Sequence, residues 1–181
     1  MLKNNLKNSK QIIEIVNHFS VGALNEILKL EKECFPAEWQ YEDADKYYKK
    51  MLGDAENINI FLKDGKRVAG YILARFHNKE IKELSKYDDK FKERKGFYVE
   101  TIQIFPEFQG IGGAKKLILA VCEEANKRGF DKFSIHARKK NGLNDKIKNI
   151  FKDNITDIRN IEKWEPAVGE SYEYIEWEYK N

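Results

Sequence analysis

Ile102-Gln103-Ile104-Phe105-Pro106-Glu107-Phe108-Gln109-Gly110-Ile111-Gly112-Gly113-Ala114-Lys115-Lys116 decides how this chain is read. An apolar, β-branched run stops at a proline, and three glycines in four positions follow. Ala114, Leu117, Ile118, Val121, Cys122 and Ala125 then recur as one helical face, and Gly129 supplies a C-cap. Strand, tight turn and helix therefore arrive in order. Glycine lets the backbone turn sharply and brings bare N–H groups close to a ligand. A helix start adds unpaired amides and the positive end of the helix dipole, which suits a phosphate or pyrophosphate. A turn that serves packing alone could use the same glycines.

Working outward, Phe97 to Phe105 forms the strand before the turn, and Phe130 to Ala137 the strand after the helix. Asn57 to Leu62 and Val68 to Phe76 flank Asp64-Gly65, a tight-turn pair that predicts an antiparallel hairpin. Helices are predicted over Val21 to Cys34, stopped by Phe35-Pro36, over Glu42 to Leu52, and over Leu143 to Lys152. A first strand falls within residues 10 to 19, and two last strands over Ile155 to Trp164 and Tyr172 to Tyr179. The charged stretch His77 to Gly96 keeps Ile81, Leu84, Tyr87 and Phe91 at roughly helical spacing, so an amphipathic helix is expected there. The class is α/β, a mixed central β-sheet flanked by helices.

No repeat or Pro/Gly-rich linker divides the 181 residues, and a single domain over 1–181 is expected. The charge of +3 comes from 33 basic and 30 acidic residues, too balanced to predict a nucleic-acid partner. Mean hydropathy is −0.70 and no apolar run approaches the ~20 residues of a membrane span, so no membrane partner is expected. The basic N-terminus leads into no signal-peptide core, and Cys34 and Cys122 form no CxxC pair, which predicts a cytoplasmic protein with no disulfide framework. His18, His77 and His136 show no metal-ligand spacing, and no metal is expected. Cys122 lies in an apolar helix stripe, where burial explains it better than a nucleophilic role.

The glycine spacing excludes both common nucleotide motifs. A dinucleotide fingerprint would need glycine where Lys115 stands, and no glycine precedes a Lys-Ser or Lys-Thr pair as a P-loop requires. The segment closely resembles the GNAT-type N-acetyltransferase superfamily: an apolar strand, a proline, then [RQ]-x-x-G-x-[GA] opening a helix, here Gln109-Gly110-Ile111-Gly112-Gly113-Ala114. Phe35-Pro36, the Asp64-Gly65 hairpin and the strand-helix-strand end fall where that family has them.

The resemblance implies a GNAT-like acyltransferase fold, acetyl-CoA as co-substrate, and an amine acceptor, either a small molecule or a peptide or protein. Backbone groups of Ile102, Gln103 and Ile104 would pair with the pantetheine arm, and the amides from Gln109 through Gly110, Ile111, Gly112, Gly113 and Ala114 would hold the pyrophosphate, with Lys115 adding charge. Ile104 N–H is the candidate to polarise the thioester carbonyl, a role worth about 3 kcal/mol. Glu100, four residues earlier and so on the same strand face, is the candidate general base. Asn144 fits the family's cofactor-side asparagine, but Phe151 stands where its proton-donating tyrosine is usual, with Tyr98, Tyr172 and Tyr174 as substitutes. Trp39, Tyr41, Glu100, Trp164 and Tyr174 are the expected acceptor contacts, where aromatics beside carboxylates would suit a cationic amine. The resemblance also implies a homodimer built on the last strands. A CoA-binding module without turnover is the competing reading, motivated by Phe151.

Overall fold

The computed structural model describes residues 11–37, 40–164 and 169–180. Strand β1 (Gln11–Ile15) leads into helix α1 (Val21–Cys34), whose cap is the Ser20 hydroxyl accepting the Ala23 N–H at 3.0 Å. Helix α2 (Ala44–Gly53) precedes strands β2 (Ile58–Asp64) and β3 (Arg67–Phe76), joined at Gly65 with φ of 60°. A single helical turn, α3 (Ile81–Leu84), lies before β4 (Phe97–Ile104); α4 (Gly113–Lys127), β5 (Lys132–Arg138), α5 (Leu143–Phe151), β6 (Ile155–Trp164) and β7 (Glu170–Glu178) complete the order. Seven strands form one mixed sheet in the order β1-β2-β3-β4-β5-β7-β6. The β4–β5 pair is parallel, while β5–β7 and β7–β6 are antiparallel. The α/β class and the mixed sheet expected from sequence are those found.

Two compact units make up the chain, residues 1–73 with 101–121, and residues 74–100 with 122–181. In the first, Ile27, Leu30, Tyr48, Met51, Ile60, Tyr71 and Leu117 are buried. In the second, Phe97, Phe133, Phe151 and Trp177 form an aromatic core, with Phe151 and Phe133 both stacked on Trp177. Burial of each such side chain contributes on the order of 1.5–3 kcal/mol.

The 77–96 segment departs from the helix expected for it. Beyond α3 the chain leaves the helical path, because Asp88 and Phe91 are both buried and each is held by residues of the second unit. Asp88 accepts from Arg159 at 2.9 Å and pairs with His136 at 3.3 Å, while Phe91 meets Tyr174 edge-on. His77 N–H to Gly96 carbonyl, at 2.9 Å, closes the segment at its ends.

Candidate active site

Where β4 runs out, Pro106–Phe108 makes a 3-10 turn whose Phe108 is buried. Arg67 stacks over Phe105 and Phe108, at 4.8 and 5.1 Å, and its guanidinium pairs with Glu107. Gln109 fixes the next step twice. Its amide donates to the Pro106 carbonyl at 3.2 Å, and its side chain donates to the Ile104 carbonyl at 2.8 Å. The Gln109 amide is thus committed to the turn, and the run of amides suited to an anion starts at Gly110.

Gly110 and Gly112 have φ of 79° and 89°, backbone that side-chain-bearing residues rarely adopt. Helix α4 opens at Gly113, so the amides of Gly113, Ala114 and Lys115 belong to the first turn, which has no intrahelical acceptors. Gly110, Ile111 and Gly112 are exposed, as is Lys115, while Lys116 is hydrogen-bonded to Gln11 at 3.0 Å. Gly113 is buried for a different reason. A Cβ there would come within 2.8 Å of the Leu62 Cδ2 and 3.1 Å of the Ile104 Cδ1, so a larger residue requires these two side-chain ends to shift.

The edge of β4 follows from its hydrogen bonds. Phe105 N–H donates to Ala69 carbonyl on β3, and the Gln103 carbonyl lies against Gly70 of the same strand. Polar groups of successive strand residues point to opposite edges, so the N–H and C=O of Ile102 and Ile104 face away from β3. On that side the register with β5 pairs Phe97 with Phe133 and Tyr98 with Ser134, near the start of β4. The backbone groups of Ile102 and the Ile104 N–H therefore face an edge that an extended amide chain could bond, while the Ile104 carbonyl already accepts from the Gln109 side chain. Gln103 turns the other way; its side chain is buried and neither of its polar atoms finds a partner among the described residues.

Glu100 is half-buried on β4 with its Oε2 enclosed. The next residue, Thr101, bonds to the Tyr71 hydroxyl. Tyr71 donates to Tyr48 at 3.2 Å, and burial pushes both phenols well above their usual range. Beside them Glu31, 2% exposed, accepts the Tyr41 amide at 2.9 Å. Glu31 was not singled out in the sequence, yet the signal was there: it falls four residues after Ile27 and next to Leu30, inside the buried stripe of α1.

The final hairpin does not supply the aromatic acceptor surface expected of it. Trp164 is buried and stacked on His136 with centroids 4.0 Å apart, and Tyr174 is fully buried beneath the Arg159 guanidinium, 4.1 Å from its ring. The 77–96 segment covers these side chains, Tyr87 meeting Trp164 and Phe91 meeting Tyr174. Tyr41 is exposed and stacked on Tyr47 at 4.4 Å, while Trp39 lies outside the described residues. Asn144 is buried, its amide bonded to Glu173 at 3.0 Å.

The substitute proton donors are likewise engaged. Tyr98 meets His136 Nδ1 at 3.0 Å, the Tyr174 hydroxyl donates to Glu176, and burial pushes Tyr172 up to about 12. Burial also raises the Cys122 thiol to about 12, as an inert core residue requires.

The decisive comparison is with a family model: residues 24–143 match that of the acetyltransferase (GNAT) family. The chain belongs to the GNAT acetyltransferase family. Solved GNAT structures share its fold. NAA60 of Arabidopsis thaliana, in complex with acetyl-CoA, aligns with a TM-score of 0.68 at 15% identity, over 94% of this chain and 98% of that one. The ribosomal-protein-S18-alanine N-acetyltransferase of Escherichia coli gives 0.64 at 15% identity, over 93% and 94%. The PaiA N-acetyltransferase of Thermoplasma acidophilum, in complex with coenzyme A, gives 0.65 at 12% identity, over 93% and 99%. No curated protein matches this GNAT chain in sequence.

Proposed function

We propose that this GNAT protein transfers the acetyl group of acetyl-CoA to a primary amine by direct attack in a ternary complex. The observation that carries the reading is the Gly110–Lys115 amide run, pinned by Gln109 to the strand whose edge presents Ile102 and Ile104. Glu100 takes the proton from the attacking nitrogen, directly or through water, and the Ile104 N–H stabilises the oxyanion, an effect typically of about 3 kcal/mol. The nitrogen–carbonyl bond forms, the carbon–sulfur bond breaks, and water protonates the departing thiolate in place of a tyrosine. Acceptors of the structural relatives support an amine: an S18 alanine for one, agmatine for another. Two free thiols support a cytoplasmic setting, and Ile158, 46% exposed on edge strand β6, supports pairing of two copies there.

Titration calorimetry of acetyl-CoA into the wild type and Gly112→Glu tests the cofactor half. A Cβ at Gly112 meets no atom within 4 Å, but its φ of 89° is strained for any side chain, so the variant both distorts the turn and places a carboxylate against the incoming pyrophosphate. Micromolar binding by the wild type and none by a folded variant is expected; equal binding by both would sink the reading. Phe151 favours a second reading, a CoA-binding module without turnover. Binding without acetyl transfer to any of a panel of amines would select it.

A further inference from the structure

Glu31 is a buried carboxylate with half of its chemistry unanswered. Its Oε1 accepts the Tyr41 amide, and the Tyr48 hydroxyl, which accepts from Tyr71, hydrogen-bonds to the carboxylate. Oε2 has no hydrogen-bond partner among the described residues, and no lysine, arginine or histidine among them forms an ion pair with Glu31. A carboxylate removed from water without a cation is costly, and a neutral glutamine could accept the same Tyr41 amide.

The surroundings match what is missing. Tyr41 stacks on Tyr47, and both lie edge-on to Tyr48, with centroids 6.1 and 5.0 Å away. Tyr71 meets Tyr48 edge-on in turn and bonds to Thr101, the residue after Glu100. Tyrosine faces attract cations through their ring quadrupoles, most strongly where water is excluded. Tyr41, 44% exposed, is the outward wall of this group.

We propose that Glu31, walled by Tyr41, Tyr47 and Tyr48, is the counter-charge for a second cationic group on the acceptor, which makes the preferred acceptor a diamine or other dicationic amine. This rests on the acetyltransferase reading. One amine loses its proton and is acylated; the other remains an ammonium and supplies the partner that Oε2 lacks.

The test compares 1,4-diaminobutane with butylamine, which has the same carbon length and no second charge, in the wild type and in Glu31→Gln. The wild type is expected to show at least about tenfold higher kcat/KM for the diamine. Glu31→Gln loses that preference, its kcat/KM falling far more for the diamine than for butylamine. Calorimetric titration of 1,4-diaminobutane in the presence of CoA reads the same contact without turnover. Tyr41→Ala, which removes an exposed ring and leaves the core intact, is expected to weaken diamine binding if Glu31→Gln fails to fold. Equal kcat/KM for the two amines, or diamine binding unchanged in the folded variants, overturns the proposal. Diamine binding that depends on Glu31 with no acetyl transfer would sink the enzymatic reading and keep this site. Transfer to both amines without preference would do the reverse.

Discussion

Phe151 lies nearly flat on Trp177, with ring centroids 4.9 Å apart and planes 16° apart. The ring at the place of the family's usual acid is therefore part of a core, 3% exposed. Phe151→Tyr would put a hydroxyl into that stack. It is expected to cost about 1–3 kcal/mol, read as a lower urea midpoint, with no rise in kcat. A tenfold gain in kcat would mean that the position still addresses the leaving sulfur.

Glycines near β4 separate steric from conformational effects. A Cβ on Gly70 would stand 2.5 Å from the Gln103 carbonyl oxygen, backbone against backbone, whereas one on Gly53 meets nothing within 4 Å. Gly70→Ala should destabilise by about 2 kcal/mol or more, Gly113→Ala by about 1, and Gly53→Ala should be neutral or stabilising by up to about 1. Chemical denaturation of the three variants checks the ranking. Equal effects at Gly70 and Gly53 would contradict the close strand approach.

Stability should fall on the acid side of neutrality. Burial holds His77 down at about 4 and lowers His136 as well, against an ordinary value of 6.5. His77 faces Phe91, Ser134, the Lys92 carbonyl and Arg94; His136 faces Tyr98, Trp164, Asp88 and Arg159. Both histidines bind protons more readily unfolded, so their contribution is present above about pH 6.5 and lost as pH falls toward 4. For His77 the loss by pH 4 is on the order of 3 kcal/mol. Glu176, raised by burial, works in the opposite sense at the acid end, since its folded form takes up a proton first. Urea midpoints from pH 8 to pH 4.5 should drop, and His77→Gln should flatten the curve. A flat wild-type curve would refute the assignment.

The loop at Gly110–Gly113 could be read from sequence because glycine spacing, proline and helical periodicity are local signals. Gln109 was legible as a motif position, but the bond from its side chain to Ile104 was not, since a pattern records residue types and not directions. Trp164 and Tyr174 were misplaced for a related reason. Hairpin aromatics look alike whether they face solvent or an inserted segment, and only Asp88 and Phe91 folding onto the sheet decide it. Glu31 shows the converse case, a charge inside an apolar stripe that periodicity alone exposes once the stripe is trusted over the residue type.

Asp88 finds its arginine 71 residues further along the chain. At synthesis rates of about 5–20 residues per second, that partner is made roughly 4–14 s after Asp88 itself. For that interval Phe91 has no Tyr174 to cover it and the 77–96 segment stays open on the nascent chain. The segment therefore cannot close until the final hairpin has been made, and until then it is open to proteases and chaperones.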